Sequence, residues 1–255
     1  MNIRILGAHS LESRDTKFVS LLIDDLLAID AGGLTSSLTF DDQQKLKALL
    51  LTHQHYDHIR DTPALAINRL FQGGSIAVYA TKSVYDTLVT HLLNDEVYPN
   101  FFRMPETNPA LRFIAVEPYK ELSIEGYRVL PLPVNHNHAV AYHVIAPDGK
   151  DFFYTGDTGP GLINCWENTS PHLLLIEVTQ SNKYENEVLR AKHLTPGLFE
   201  KELLSFKQLK GYLPPVIVVH MNPESQKDIE VELIAVSRNL NCQITIAHEG
   251  MKVKL

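Results

Sequence analysis

LLLTHQHYDHIRDTPAL, residues 49–65, runs three leucines straight into His53, His55, Asp57 and His58. KALLLT, residues 47–52, has no polar alternation and reads as a strand buried on both faces. TPALAINRLF, residues 62–71, reads as the next helix, with Asp61 or Thr62 as cap and Pro63 in its first turn. The cluster therefore sits in the connection that leaves the carboxyl end of a buried strand, where loops carry function. His53 and His55 are two apart and project the same way from an extended segment; Asp57 follows by the same step, and His58 lies beside it as the chain turns helical. Imidazole nitrogen and carboxylate oxygen suit Zn, Mn or Fe. Four ligand-type side chains in six residues exceed what a mononuclear catalytic site needs from one loop, so two divalent ions are expected. Solvated loop histidines are the alternative, and they account poorly for this density directly after a buried strand.

The same construction recurs along the chain. PLPVNHNHAV ends a strand-like run with His136 and His138, FFYTGDTGP ends one with Asp157 between glycines, and PPVIVVHMNP ends one with His220. Each apolar run terminates in a ligand-type residue, and the repetition carries more weight than any single motif.

At 255 residues the chain is long enough to bury a real core. Hydrophobic residues make up 44% and charged residues 21%, an ordinary globular balance. The net charge of −7 argues against a dedicated binder of long nucleic acid. Two cysteines, Cys165 and Cys242, are too few for a disulfide framework and read as reduced thiols in a cytoplasmic protein. MNIRILGAHS lacks the apolar core and cleavage site of a signal peptide, and no apolar run reaches membrane-span length.

Short strands are expected at NIRIL, FVSLLID and LLAID, the last ending at Asp30-Ala31-Gly32-Gly33. A helix is expected at DDQQKLK, a strand at SIAVYA, a helix over residues 82–94 and a loop over 95–110, which holds three prolines. RFIAVE, YRVLPLPV, AVAYHVIA, DFFYTG and LLLIEV read as strands. TPGLFEKELLSFKQL reads as a helix capped by Thr195 with Pro196 at its first position. PPVIVVH reads as a strand, PESQKDIEVELIAVSRNL as a helix and CQITIA as the last strand. This order predicts an α/β protein with two mixed sheets packed face to face and helices outside, as one domain over residues 1–255.

On these motifs the chain resembles the metallo-β-lactamase superfamily. THQHYDH is similar to its signature loop, Asp30 to the acidic residue that ends an early strand, and VNH, TGDTG and VVH to its later metal motifs. The resemblance runs from Asp30 to His220 and implies an αββα sandwich with a dinuclear site. It implies His53, His55 and His136 on one metal, Asp57, His58 and His220 on the other, Asp157 as the bridge, and Asp30 orienting the loop behind them. It also implies a catalytic part for Asp57. His138 competes with His136 for the third motif; the VNH placement and Tyr142 six residues later favour His136. His248, in AHEGM, reads as a strand-end histidine near the site rim.

Fold does not fix the bond that is cleaved. Asp157 stands where lactamases proper carry Cys, and Pro133-Val134-Asn135-His136 departs from the third motif of glyoxalase II and the lactonases. LLLIEVTQ and AKHLTP resemble a catalytic pair of the phosphodiesterase branch, which would be Glu177 and His193. A carboxylate orienting a histidine makes a general acid for a leaving alkoxide. Transfer-RNA 3′-processing enzymes of that branch carry a long arm between the third and fourth motifs; here His136 and Asp157 are only 21 positions apart. VVHMNPES and KHLTPGLFEKEL are similar to class II cyclic-nucleotide phosphodiesterases. The expectation is a dinuclear phosphodiesterase for a small phosphodiester, with a 3′,5′-cyclic nucleotide as leading substrate. The alternatives are an RNA phosphodiesterase without the arm, a thioester or lactone hydrolase on the same metals, and a noncatalytic metal or nucleotide sensor. A homodimer stays open, and no membrane association is expected. HLLNDEVYPNFFRMPE, residues 91–106, reads as a lid or pocket wall in which Tyr98, Phe101 and Phe102 stack on a base or else pack the loop.

Overall fold

A computed structural model describes residues 1–255. Fourteen strands are β1 (Asn2–Gly7), β2 (Ser20–Ile23), β3 (Leu27–Ile29), β4 (Ala48–Leu50), β5 (Ile76–Ala80), β6 (Leu111–Ala115), β7 (Leu122–Ile124), β8 (Tyr127–Pro133), β9 (Val140–Ile145), β10 (Asp151–Tyr154), β11 (Leu174–Glu177), β12 (Val216–Val219), β13 (Ile244–Ile246) and β14 (Lys252–Lys254). Eight helices are α1 (Phe40–Lys45), α2 (Tyr56–Ile59), α3 (Thr62–Phe71), α4 (Lys82–Thr87), α5 (Ile163–Asn168), α6 (Glu185–Ala191), α7 (Pro196–Lys210) and α8 (Gln226–Leu240).

The chain divides into two compact units. The first comprises Met1–Gly7, Lys17–Glu117 and Glu249–Lys254. Its sheet runs in the order β14-β1-β2-β3-β4-β5-β6. The β14, β1, β2 and β3 pairings are antiparallel, and β3 to β6 are parallel. β4 lies inside this sheet with Ala48, Leu49 and Leu50 essentially without exposure, which is why its sequence shows no alternation. α3 starts at Thr62 with Pro63 in its first turn, as the sequence predicts. Asp61 is its N-cap by position, yet its carboxylate accepts from Thr35 N–H at 2.7 Å and Arg60 Nε at 2.9 Å instead of from the helix.

The second unit comprises Ala8–Thr16 and Pro118–His248, with Leu255. Its sheet runs β13-β12-β11-β10-β9-β8-β7, parallel from β13 to β10 and antiparallel from there to β7. Its largely aliphatic core encloses an aromatic group: Trp166 meets Phe206 edge-on at 5.3 Å and Phe153 at 5.9 Å, and Phe199 is fully buried. α7 begins as its sequence dictates, with the Thr195 hydroxyl accepting from Leu198 N–H and Pro196 following. Gly211, in the left-handed region at φ 79°, ends it.

Several expectations are corrected. CQITIA is not the last strand: β14, from MKVKL, pairs with β1. The helix expected over residues 82–94 is α-helical only to Thr87 and continues as a π turn over Leu88–Leu92. β7, α5 and α6 carry too short a pattern to stand out. Phe101 has no exposed surface and packs the first unit's core, so it offers no face to a base. Tyr98 and Phe102 are partly buried against the same cluster, Tyr98 against Phe101 at 5.7 Å and Phe102 against Tyr85 at 5.1 Å.

Candidate metal centre

In the first unit Asp30 follows β3 directly, and Thr52 and His53 follow β4 by way of Leu51. β3 and β4 are parallel neighbours, so their carboxyl ends deliver these residues side by side. Asp30 is fully buried. It accepts from Thr52 N–H at 2.9 Å, from the Thr52 hydroxyl at 3.0 Å and from His58 Nδ1 at 2.7 Å. The Thr52 hydroxyl has one proton, and that proton goes to Asp30. Thr52 Oγ1, 3.1 Å from His53 Nδ1, is thus the acceptor of that ring's N–H. His53 and His58 therefore carry their lone pairs on Nε2, the form in which imidazole binds a metal. Their rings lie 4.2 Å apart and His55 lies 4.6 Å from His53. Asp57 Oδ2 is 3.5 Å from His58 Nε2. The loop closes tightly: a Cβ on Gly32 would meet the Asp57 carbonyl oxygen at 2.2 Å.

In the second unit His136 follows β8, Asp157 follows β10, Glu177 ends β11 and His220 follows β12. His136 Nδ1 is 2.9 Å from the Lys192 carbonyl oxygen, which can only accept. His220 Nδ1 is 2.9 Å from the Thr179 hydroxyl, whose proton goes to Glu177 Oε2 at 2.7 Å. Both rings again present Nε2 as the lone-pair nitrogen. His220 Nε2 lies 3.4 Å and His136 Nε2 4.0 Å from Asp157 Oδ2. His138 is exposed and His136 buried, so the geometry selects His136 as the residue built into this arrangement. His248 is exposed.

Glu177, fully buried, receives four donors: Thr158 N–H at 3.0 Å, Leu194 N–H at 3.2 Å, the Thr179 hydroxyl at 2.7 Å and His193 Nδ1 at 2.7 Å. The pair drawn from the sequence is thus in contact. His193 Nδ1 lies 4.0 Å from Asp157 Oδ2, and its ring stacks on His220 at 5.4 Å. Ligand atoms of Glu177, His193 and His220 fall within 4.8 Å of one another.

Besides the Lys192 carbonyl behind His136, three contributors escaped the sequence reading. Thr52 and Thr179 fix the tautomers of His53 and His220, and a threonine after a strand carries no signal for that. The third is the Ala8–Ser10 segment. The Ala8 carbonyl accepts His220 N–H at 2.6 Å, while buried His9 contacts Gln226 Oε1 at 3.0 Å. Neither cysteine belongs here: burial pushes the Cys165 thiol up to about 12, and Cys242 is raised by the same cause. The donors are half-buried Asp57 beside His53, His55 and His58 in the first unit and buried Asp157 beside His136 and His220 in the second, a set that fits divalent ions.

Residues 25–221 match the model of the beta-lactamase superfamily domain. The chain belongs to that superfamily, a class of metal-dependent hydrolases. Among solved structures it is similar to yeast PDE1, with a TM-score of 0.85 at 18% identity, covering 100% of this chain and 99% of that one. It is also similar to YhfI of Bacillus subtilis (0.77, 16%, 99% of each) and to the short form of human tRNase Z (0.71, 16%, 100% and 99%). These likenesses establish the metallo-β-lactamase αββα fold. The Endoribonuclease YSH1 of Gibberella zeae is 25% identical over 144 residues, 51% of this chain and 17% of that protein. The homologue of Neurospora crassa is 26% identical over the same shares. The chain thus spans about a sixth of the length of these curated relatives. No helix is long and apolar enough to cross a membrane.

Proposed function

We propose that the two units work as one domain and that the protein is a dinuclear metal-dependent phosphodiesterase for a small phosphodiester, with a 3′,5′-cyclic nucleotide as leading substrate. In this reading His53, His55 and His136 hold one ion, Asp57, His58 and His220 hold the other, and Asp157 is shared. Each grouping has the donor chemistry that a divalent ion takes. The bound ions, with zinc the first candidate and manganese or iron the others, supply Lewis-acid charge and an activated water.

The observation that carries the reading is the Glu177–His193 pair beside Asp157 and His220. Glu177 fixes Nδ1 of His193 as a donor, so Nε2 is the nitrogen from which the doubly protonated ring would deliver its proton. Delivery of that proton to a departing sugar oxygen is needed for an alkoxide, which leaves poorly without it. The fold likeness to yeast PDE1 supports a small substrate. So does the connection between His136 and Asp157, which holds only β9, β10 and their turns. Tyr98 and Phe102, half-buried, are the remaining candidates for a wall beside a base.

Cleavage of RNA is the second reading, favoured by the endoribonuclease relatives. The test is a substrate panel on the full chain loaded with Mn or Zn: 3′,5′-cyclic AMP, bis(p-nitrophenyl) phosphate, a single-stranded RNA and a thioester. Two equivalents of metal per chain and turnover of the cyclic nucleotide are expected. RNA cleavage without cyclic-nucleotide turnover transfers the assignment to the second reading. Thioester turnover alone, or a single metal at saturation, overturns the proposal.

A further inference from the structure

The second unit ends in a surface that its own chain leaves uncovered. α8 buries Ile229, Leu233, Val236 and Leu240 on one side. On the other it presents Val231, 69% exposed, and Ile234, 50% exposed. Between α8 and β13 runs a groove of about 160 Å³ lined by Leu233, Ile234, Ile244 and Ile246 and flanked by Glu230 and Arg238. β13 is the outer strand of its sheet and pairs only with β12. Its sequence, Ile244-Thr245-Ile246, has no charge, whereas the outer strand β14 of the other sheet carries Lys252 and Lys254. Exposed edges of monomeric proteins are commonly guarded by lysine, proline or a bulge. β13 has none of these.

The charges say what covers this face. Glu230 accepts only from Gln226 Nε2, at 2.8 Å, and has no cationic partner; the Arg238 guanidinium has no anionic one. They stand four residues before and four residues after Ile234, on the stripe of α8 that also carries Val231. When two copies of a helix pack antiparallel about a two-fold axis, position n−4 of one faces n+4 of the other. An axis at Ile234 therefore sets Glu230 against Arg238 twice, with Ile234 meeting its own copy between them. The fifteen residues of α8 give such a contact about 22 Å of length.

We infer that the α8–β13 face is a homodimer interface, closed by a two-fold axis at Ile234 with two reciprocal Glu230–Arg238 ion pairs. The surface is self-complementary in charge, as an isologous contact requires.

The test is sedimentation equilibrium of the full-length protein and its variants. The wild type sediments as a dimer. Ile234→Asp is monomeric with an unchanged far-ultraviolet spectrum, because half of that side chain is already in water. Glu230→Arg and Arg238→Glu each weaken the dimer about tenfold, since each sets like charges face to face twice, and added salt reduces the effect. The double variant Glu230→Arg/Arg238→Glu recovers the wild-type affinity to within a few-fold. A monomeric wild type, a dimer indifferent to Ile234→Asp, or a double variant no tighter than the singles overturns the inference.

Discussion

Replacing Thr179 by valine is the sharpest probe of how the site is held together, because one hydroxyl serves two neighbours. It donates to Glu177 Oε2 at 2.7 Å and accepts from His220 Nδ1 at 2.9 Å. Valine keeps the shape and removes the oxygen. His220, 3% exposed, then turns a buried N–H toward a methyl group. An unsatisfied buried donor costs about 1–3 kcal/mol, equivalent to roughly 5–150-fold in an equilibrium constant. Loss of the partner behind a metal-bound histidine lowers metal affinity by about 10–100-fold, so the two routes agree. Glu177 keeps three of its four donors and still holds His193 directly. Thr179→Val should therefore lose metal affinity about 10–100-fold, while kcat at saturating metal falls by less than tenfold. Competition against a chelating indicator measures the first, and steady-state kinetics the second. Thr179→Ser, which keeps the hydroxyl, should restore both. Wild-type metal affinity in Thr179→Val would refute the tautomer argument. A serine variant as poor as valine would show that the methyl group, not the hydroxyl, matters.

His193→Ala should keep its metal and lose about 10²–10⁴-fold in rate on an alkoxide-leaving diester, with a much smaller loss on a p-nitrophenyl ester. Equal losses on both would remove the proton-donor role, and Glu177→Gln should follow the same pattern more weakly. Gly32→Ala drives a Cβ to 2.2 Å from the Asp57 carbonyl and 2.5 Å from Phe18 Cβ. It should cost about 1–3 kcal/mol of stability and release metal, and a melting curve matching wild type would contradict the close approach. At Asp151, burial pushes the carboxyl up, but hydrogen bonds from His143 and the His172 backbone outweigh it and the net shift is downward. Its stabilising contribution is complete above the ordinary carboxylate range and is lost as pH falls through the lowered folded value. Denaturant titrations below about pH 4 should show an acid-side slope that Asp151→Asn diminishes.

The parts of the site legible in the sequence are those whose residue type is rare at a strand end. His53, His55, His136, Asp157 and His220 each stop an apolar run, and the strands they stop are real. Glu177 and His193, 16 positions apart, were legible only through resemblance, since neither spacing nor periodicity links them. Thr52, Thr179 and the Lys192 carbonyl were not legible at all. Threonine is common after strands, and a backbone carbonyl has no sequence signature. In the fold, β14 escaped because Lys-Val-Lys reads as a charged tail until β1 is there to pair with it. Phe101 stayed open between base stacking and loop packing because an aromatic residue in a proline-rich loop has no period to tell core from surface.

Two residues, Asp30 behind the site and His220 within it, pay in backbone conformation for their placement. Asp30 and His220 both lie in the left-handed region, at φ 58° and 61°, where a residue with a Cβ is strained by about 1–3 kcal/mol. Both stand just after parallel strands, where the chain must turn sharply to bring a side chain back over the strand ends. Each is anchored by hydrogen bonds through both its backbone and its side chain. Asp30 N–H donates to the Leu50 carbonyl at 2.9 Å while its carboxylate receives Thr52 and His58; His220 N–H donates to Ala8 while its ring reaches Thr179. Glycine at either position would relax the backbone and delete the side chain for which the turn exists. The strain and the donor geometry are thus one feature: the fold holds imidazoles in a fixed tautomer before any ion arrives. The ordering cost that a flexible histidine would bring to metal binding is already met in folding.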